Sequence, residues 1–136
     1  MAETLSLTVS LRGTRHVEGN YQLFRLNGLL DAFSVTIFTK TMDGYVESGP
    51  THIIIDLSSI DFVDSSGLGA LVQLVKNATV HGKTVQVVTN NRVTQTVKLV
   101  RLENFLSLQA TVEDAIEKIK SQTDSSKPES DRSTTS

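Results

Sequence analysis

Leu5 to Leu11 alternates apolar and polar side chains for seven residues. A period of two predicts a strand with one face buried and the other wet. The polar run Arg12–Asn20 holds two glycines and predicts a hairpin-like connection. Tyr21 to Leu26 reads as a second strand, and Asn27-Gly28 as a turn after it. From Asp31 through Glu47 the spacing changes. Val35, Phe38, Met42 and Tyr45 recur at helical intervals. Asp31 is placed to accept from the free N–H groups of the first turn, and Ser48-Gly49-Pro50 stops the helix.

Thr51 to Leu57 does not alternate, because Ile53, Ile54 and Ile55 follow one another. Such a run predicts a parallel strand buried on both faces. A polar elbow, Ser58 to Val63, separates it from a helix of about Ser65–Val80, with Leu68, Leu71, Val72, Val75 and Thr79 on one face. Thr84–Thr89 is the next strand, followed by a helix over about Arg92–Leu102 and a short strand over Phe105–Ala110. Thr111 caps a last helix carrying Val112, Ala115, Ile116 and Ile119 at i, i+3, i+4 and i+7. From Ser121 onward no side chain offsets the entropy of ordering, which predicts a disordered polar tail over 121–136 after one domain over 1–120. The order β-β-α-β-α-β-α-β-α predicts an α/β domain. Its sheet of four to five strands is mixed but mostly parallel, and it packs with about four helices.

Composition narrows the function. With 136 residues the chain holds one adequate core. A net charge of −2 gives no support for general nucleic-acid binding, which usually shows a basic domain or stripe. The absence of cysteine excludes disulfides, thiolate metal sites and a cysteine nucleophile. No cofactor or metal is expected. No apolar run is long enough to span a membrane, and the first residues lack the features of a secretory signal, so a cytoplasmic protein is expected.

The chemistry concentrates at Asp64-Ser65-Ser66-Gly67-Leu68-Gly69, where a helix begins. Two glycines in a first turn cost about 1 kcal/mol each against alanine. Either they allow close packing on a strand, or they let another molecule reach the backbone. The serines are caps, nucleophiles or phosphate acceptors. A nucleophile requires a base, and His16, His52 and His81 lie in separate parts of the chain. A phosphoserine at a helix N-terminus meets oriented N–H groups and a favourable dipole.

The segment Phe62–Gly69 resembles the signature of STAS-domain anti-sigma factor antagonists. Ile55-Asp56-Leu57-Ser58, Leu26-Asn27-Gly28-Leu29-Leu30-Asp31 and His81-Gly82-Lys83-Thr84-Val85 are similar to further pieces of that family's pattern. The resemblance spans about residues 4–120. It implies that the chain is not an enzyme, and that Ser65 is phosphorylated by a partner that is both a serine kinase and the anti-sigma factor. That partner supplies the ATP. The unphosphorylated protein would bind it and release a sigma factor, and a serine phosphatase would reverse the block. Asp64 would assist recognition or phosphoryl transfer.

Asp31, Asp61 and Asp64 are expected to gather near Ser65 at the carboxyl edge of the sheet, where ligands of α/β folds bind. With Ser66, Gly67, Leu68 and Gly69 they form the expected partner surface. Leu29 and the long Arg12–Asn20 connection depart from the family pattern and leave the partner's identity open. One alternative keeps the fold but makes the chain a stand-alone subunit of a stressosome-like or transport complex. Two others are a receiver domain phosphorylated on Asp56 and a nucleotide-binding module. The receiver lacks its acidic pair, and Gly67-x-Gly69 alone is a weak phosphate-loop signal.

Overall fold

A computed structural model describes residues 2–126 of the chain. The elements are β1 (Ala2–Leu5), β2 (Leu11–Glu18), β3 (Tyr21–Leu30), α1 (Val35–Ser48), β4 (His52–Val63), α2 (Ser65–Val80), β5 (Thr84–Val88), α3 (Asn91–Leu99), β6 (Leu108–Gln109) and α4 (Val112–Ser126). They form one α/β domain with a six-stranded sheet ordered β1-β2-β3-β4-β5-β6. The first three strands pair antiparallel, and β3 to β6 run parallel.

The sheet has more strands than expected because the N-terminal segment divides differently. Residues 6–10 leave the sheet. The Leu11 N–H donates to Thr8 Oγ1, and the Thr8 N–H donates to the Leu11 carbonyl. That local turn ends β1 before the alternating pattern does. Arg12 to Glu18 is then strand rather than connection, and only Gly19-Asn20 turns. Gly13 is tolerated inside β2 because the Leu26 side chain occupies the space a Cβ would need.

Asn27-Gly28 does not end β3 either. Gly28 has φ +105, and the Ser10 carbonyl lies where its Cβ would stand. It marks an irregularity within the strand, beside a register shift against β4. The strand β4 continues through Ser58–Val63, which had read as an elbow, because Asn27 to Leu30 of β3 keep pairing with Ser59 to Val63. At the other boundaries α3 is shorter than the apolar pattern, β6 is only two residues, and Asn90 caps α3 by accepting from the Val93 N–H. Thr111 Oγ1 accepts from Asp114 as expected. The helix α4 runs to Ser126, past the predicted start of the tail at Ser121; residues 127–136 lie outside the described residues.

Two clusters fill the two sides of the sheet. Ile53 and Ile55 face Phe38 and Met42 of α1, Leu71 and Leu74 of α2, and Val93 and Val97 of α3. Ile54 faces Val112, Ala115 and Ile119 of α4, with Leu23 and Val88. The isoleucine run is therefore buried on both faces, as its failure to alternate predicted. On α2 the buried stripe is Leu68, Leu71, Leu74 and Ala78, while Thr79 is exposed.

Candidate functional site

The site is set by register. Leu30 at the end of β3 pairs with Val63 at the end of β4. Their following residues, Asp31 and Asp64, therefore leave the carboxyl edge of the sheet side by side. Asp64 is the N-cap of α2, and its two carboxylate oxygens do different jobs. Oδ1 accepts from the Gly67 N–H at 2.9 Å, and Oδ2 accepts from the Ala32 N–H at 3.2 Å. One side chain thus satisfies the helix start and ties the turn after β3 to it.

Asp31 does not cap α1. Its Oδ1 accepts from the Phe33 N–H at 3.0 Å, closing a turn, and α1 starts later with Ser34 at its N-cap position. Ser34 is fully buried, accepts from the Asp31 N–H and donates to the Leu29 carbonyl, both at 3.0 Å. Local side chain-to-backbone bonding competes with the helix here and delays it.

Ser65 is the first residue of α2 and is exposed, while Ser66 is half-buried. Asp64 serves the Gly67 N–H, so the N–H groups of Ser65 and Ser66 remain at the positive end of the helix for solvent or an anion. Leu68 is 7% exposed and belongs to the core. The two glycines separate. A Cβ on Gly67 would fall on the Leu30 carbonyl oxygen and stand 2.9 Å from Val63 Cγ1, so Gly67 lets α2 pack against β3 and β4. At Gly69 a Cβ would meet nothing, and the position is exposed.

The three acids do not all converge. Asp31 and Asp64 are joined through Ala32. Asp61 is exposed on β4, and its carbonyl is held at 2.9 Å by Arg92 of α3, on the other flank of α2. Two apolar residues escaped the sequence reading. Phe33, 89% exposed, sits in the turn beside Ala32, and Phe62, 50% exposed, lies opposite Leu29 two residues before Asp64. The signal for Phe62 was its adjacency to Val63: under a period of two, one of the pair points away from the core. Phe33 likewise falls ahead of the buried stripe of α1.

No histidine lies beside Ser65 among the described residues. His52 starts β4, at the opposite end of the sheet, with Nδ1 2.7 Å from Thr84 Oγ1. His81 closes the far end of α2, and His16 is 3.1 Å from Glu18 on β2. Burial pushes the His52 imidazole below its ordinary value of 6.5. The unfolded chain therefore takes up a proton that the fold resists. His52 costs stability as pH falls from 6.5 to its lower folded value, and nothing further below that. In His52→Gln, the loss of denaturant midpoint between about pH 7.5 and about pH 5.5 should be smaller than in the parent. An equal loss would remove His52 from the account.

Asp56, the acceptor a receiver domain would use, is 6% exposed, and its Oδ1 accepts from the Ser58 N–H and Oγ–H. Asp64→Ala should cost about 2 kcal/mol, since it removes a cap and the Ala32 tie together. Asp64→Asn retains most of that, and chemical denaturation of the pair separates capping from charge.

The STAS domain model matches residues 12–115. The chain belongs to the STAS domain family. A Thermotoga neapolitana protein, named as a homologue of the candidate anti-sigma factor antagonist TM1081, is 26% identical over 95 residues, which are 68% of this chain and 84% of that one. The crystal structure of an anti-sigma factor antagonist from Mycobacterium paratuberculosis superposes with a TM-score of 0.76 at 20% identity, covering 85% of this chain and 99% of that one. Unphosphorylated SpoIIAA, also an anti-sigma factor antagonist, gives a TM-score of 0.69 at 20% identity over 80% of this chain and 96% of its own. These structures share the fold of this STAS domain. No helix among the described residues is long and apolar enough to cross a membrane.

Proposed function

We propose that this STAS domain is an anti-sigma factor antagonist switched by phosphorylation of Ser65. The observation that carries the reading is the construction of the α2 start. Ser65 is exposed at the first helical position, while its neighbour Asp64 holds the surrounding backbone. A phosphate can be added there without removing any contact that maintains the fold. It would meet free N–H groups and the positive helix end. The relatives named above support the role.

In this reading the chain is a substrate rather than a catalyst. A cytoplasmic partner with serine kinase activity supplies ATP and doubles as the anti-sigma factor, and a serine phosphatase resets the switch. The unphosphorylated face presents Phe33 and Phe62 as apolar anchors, Gly69 as a place of close approach, and the Asp31 and Asp64 turns around Ser65. Exposed aromatics of this kind dominate interface energetics. Ser66 and Leu68 lie in the same first turn, and Gly67 acts through packing. Asp61, on the α3 flank, contributes at the margin.

The test is a binding measurement with the cognate anti-sigma kinase and ATP. The parent protein should lose binding as it is phosphorylated, and Ser65→Ala should keep it. Loss of Ser65→Ala binding on adding ATP would reject Ser65 as the switch. Capture of a transport ATPase in place of a sigma-factor regulator would reject the pathway while leaving the fold untouched.

A further inference from the structure

The sheet face under α4 is only partly covered. The helix packs on Leu23, Ile54 and Val88. One step further along the parallel strands, on the same face, stand Arg25 of β3 and Asp56 of β4, which are register partners. Thr14 of β2 pairs with Arg25, and Arg12 pairs with Asn27, so both also face this way. A cavity of about 420 Å³ opens over Arg12, Thr14, Arg25, Asn27, Asp56 and Ser59. Its size falls in the range of small-molecule sites.

Three features set this cavity apart from an ordinary wet sheet face. Its floor is a carboxylate that is 6% exposed. Asp56 Oδ1 is occupied by Ser58, but the nearest cation to Oδ2 is Arg25 Nη1 at 3.8 Å, too far for a hydrogen bond. Arg12 and Arg25 lie diagonally on neighbouring strands with only that one carboxylate between them. Their charge exceeds it by one in a chain whose net charge is −2. The register also shifts here, from Arg25 opposite Asp56 to Asn27 opposite Ser59, an extra residue in β4 that bends Ser58 back onto Asp56. Such bulges re-aim side chains beside binding sites.

We propose that this cavity binds a small phosphorylated hydroxy compound. The phosphate bridges the two guanidinium groups, and a ligand hydroxyl donates to Asp56 Oδ2. Arginine forks suit phosphate oxygens, and Asp56 Oδ2, held only by the long Arg25 ion pair, has room to accept from a ligand hydroxyl, so neither a bare anion nor a neutral polyol engages both ends. The site lies on the α4 face, whereas Ser65 starts a helix of the opposite face. It is therefore separate from the phosphorylation switch.

The test is an amide chemical-shift titration of the full chain with sn-glycerol 3-phosphate, inorganic phosphate and glycerol. Saturable shifts at Thr14, Arg25, Asn27 and Ser58 are expected with sn-glycerol 3-phosphate, at a dissociation constant below about 1 mM. Inorganic phosphate should bind about tenfold more weakly, and glycerol not at all. Arg12→Ala and Arg25→Ala, both at exposed positions, should each weaken binding about tenfold with unchanged spectra elsewhere. Asp56→Asn should abolish the preference over inorganic phosphate. Sedimentation with phosphatidylglycerol vesicles identifies the source of this chemistry: co-sedimentation that Arg25→Ala removes assigns it to a lipid headgroup, and its absence assigns it to a free solute. Shifts that stay linear to about 10 mM, or saturation that both arginine variants retain, would overturn the proposal.

Discussion

Phosphorylated Ser65 is expected to bind the anti-sigma kinase about 100- to 1000-fold more weakly than the unmodified protein. The fold should melt at the same temperature or slightly higher. The phosphate adds about −1.5 to −2 charges beside Asp64 and the Asp31 turn, at the centre of the proposed contact. Placing that charge against a surface matched to a neutral hydroxyl costs several kcal/mol, which is the stated loss. Within the domain the same charge sits on the positive end of α2, a favourable position worth about 0.3–1 kcal/mol. Calorimetric titration and thermal melting of the two forms measure both sides. Salt separates the causes: near 1 M, charges are screened beyond about 3 Å. Binding that recovers there reflects repulsion, and a persistent loss reflects the bulk of the phosphate. Ser65→Asp carries one charge and should show a smaller defect. A phosphorylated protein that binds as well as the parent would end the switch reading.

Gly67→Ala should cost about 2–3 kcal/mol and lower the melting temperature by roughly 10 °C, although alanine is the better helix former. The new methyl would collide with the Leu30 carbonyl, a backbone group held between β3 and the Asp64 N–H, so α2 or the strand must shift. Gly69→Ala has the opposite sign. Nothing occupies its Cβ position, so helix propensity acts alone and should stabilise by about 0.5–1 kcal/mol. If Gly69 is kept open for the partner, that gain comes with weaker binding. Denaturation curves and binding constants for the two variants test the division directly. Equal effects at both glycines would show that packing does not distinguish them.

The parts of the fold legible in the chain were those governed by local period. The Ile53–Ile55 run predicted a strand buried on both sides, and it is. The α2 start was read from Asp64 and the residues after it, because capping involves atoms only three positions apart. Boundaries governed by distant partners were read less well. Ser58–Val63 looked like an elbow because its polar residues break the pattern, yet pairing with β3 keeps it in the sheet. Arg12–Glu18 looked like a connection because of Gly13, whose missing Cβ makes room for Leu26 across the ladder. Asp31 had every local mark of a helix cap, but Ser34 and Phe33 engage it in a turn instead.

The candidate site divides in the same way. The chain alone contains Ser65 at a capped helix start and the glycines that follow it, and it has no thiol. These are properties of neighbours along the backbone. Tertiary structure alone joined Asp31 to Asp64 through Ala32, sent Asp61 to the α3 flank, exposed Phe33 and Phe62, and separated Gly67 from Gly69. The Asp31–Asp64 connection and the close packing at Gly67 depend on which residue of β3 stands opposite which residue of β4. Register is fixed by the packing of the whole sheet between its helices, and no short stretch of sequence contains it.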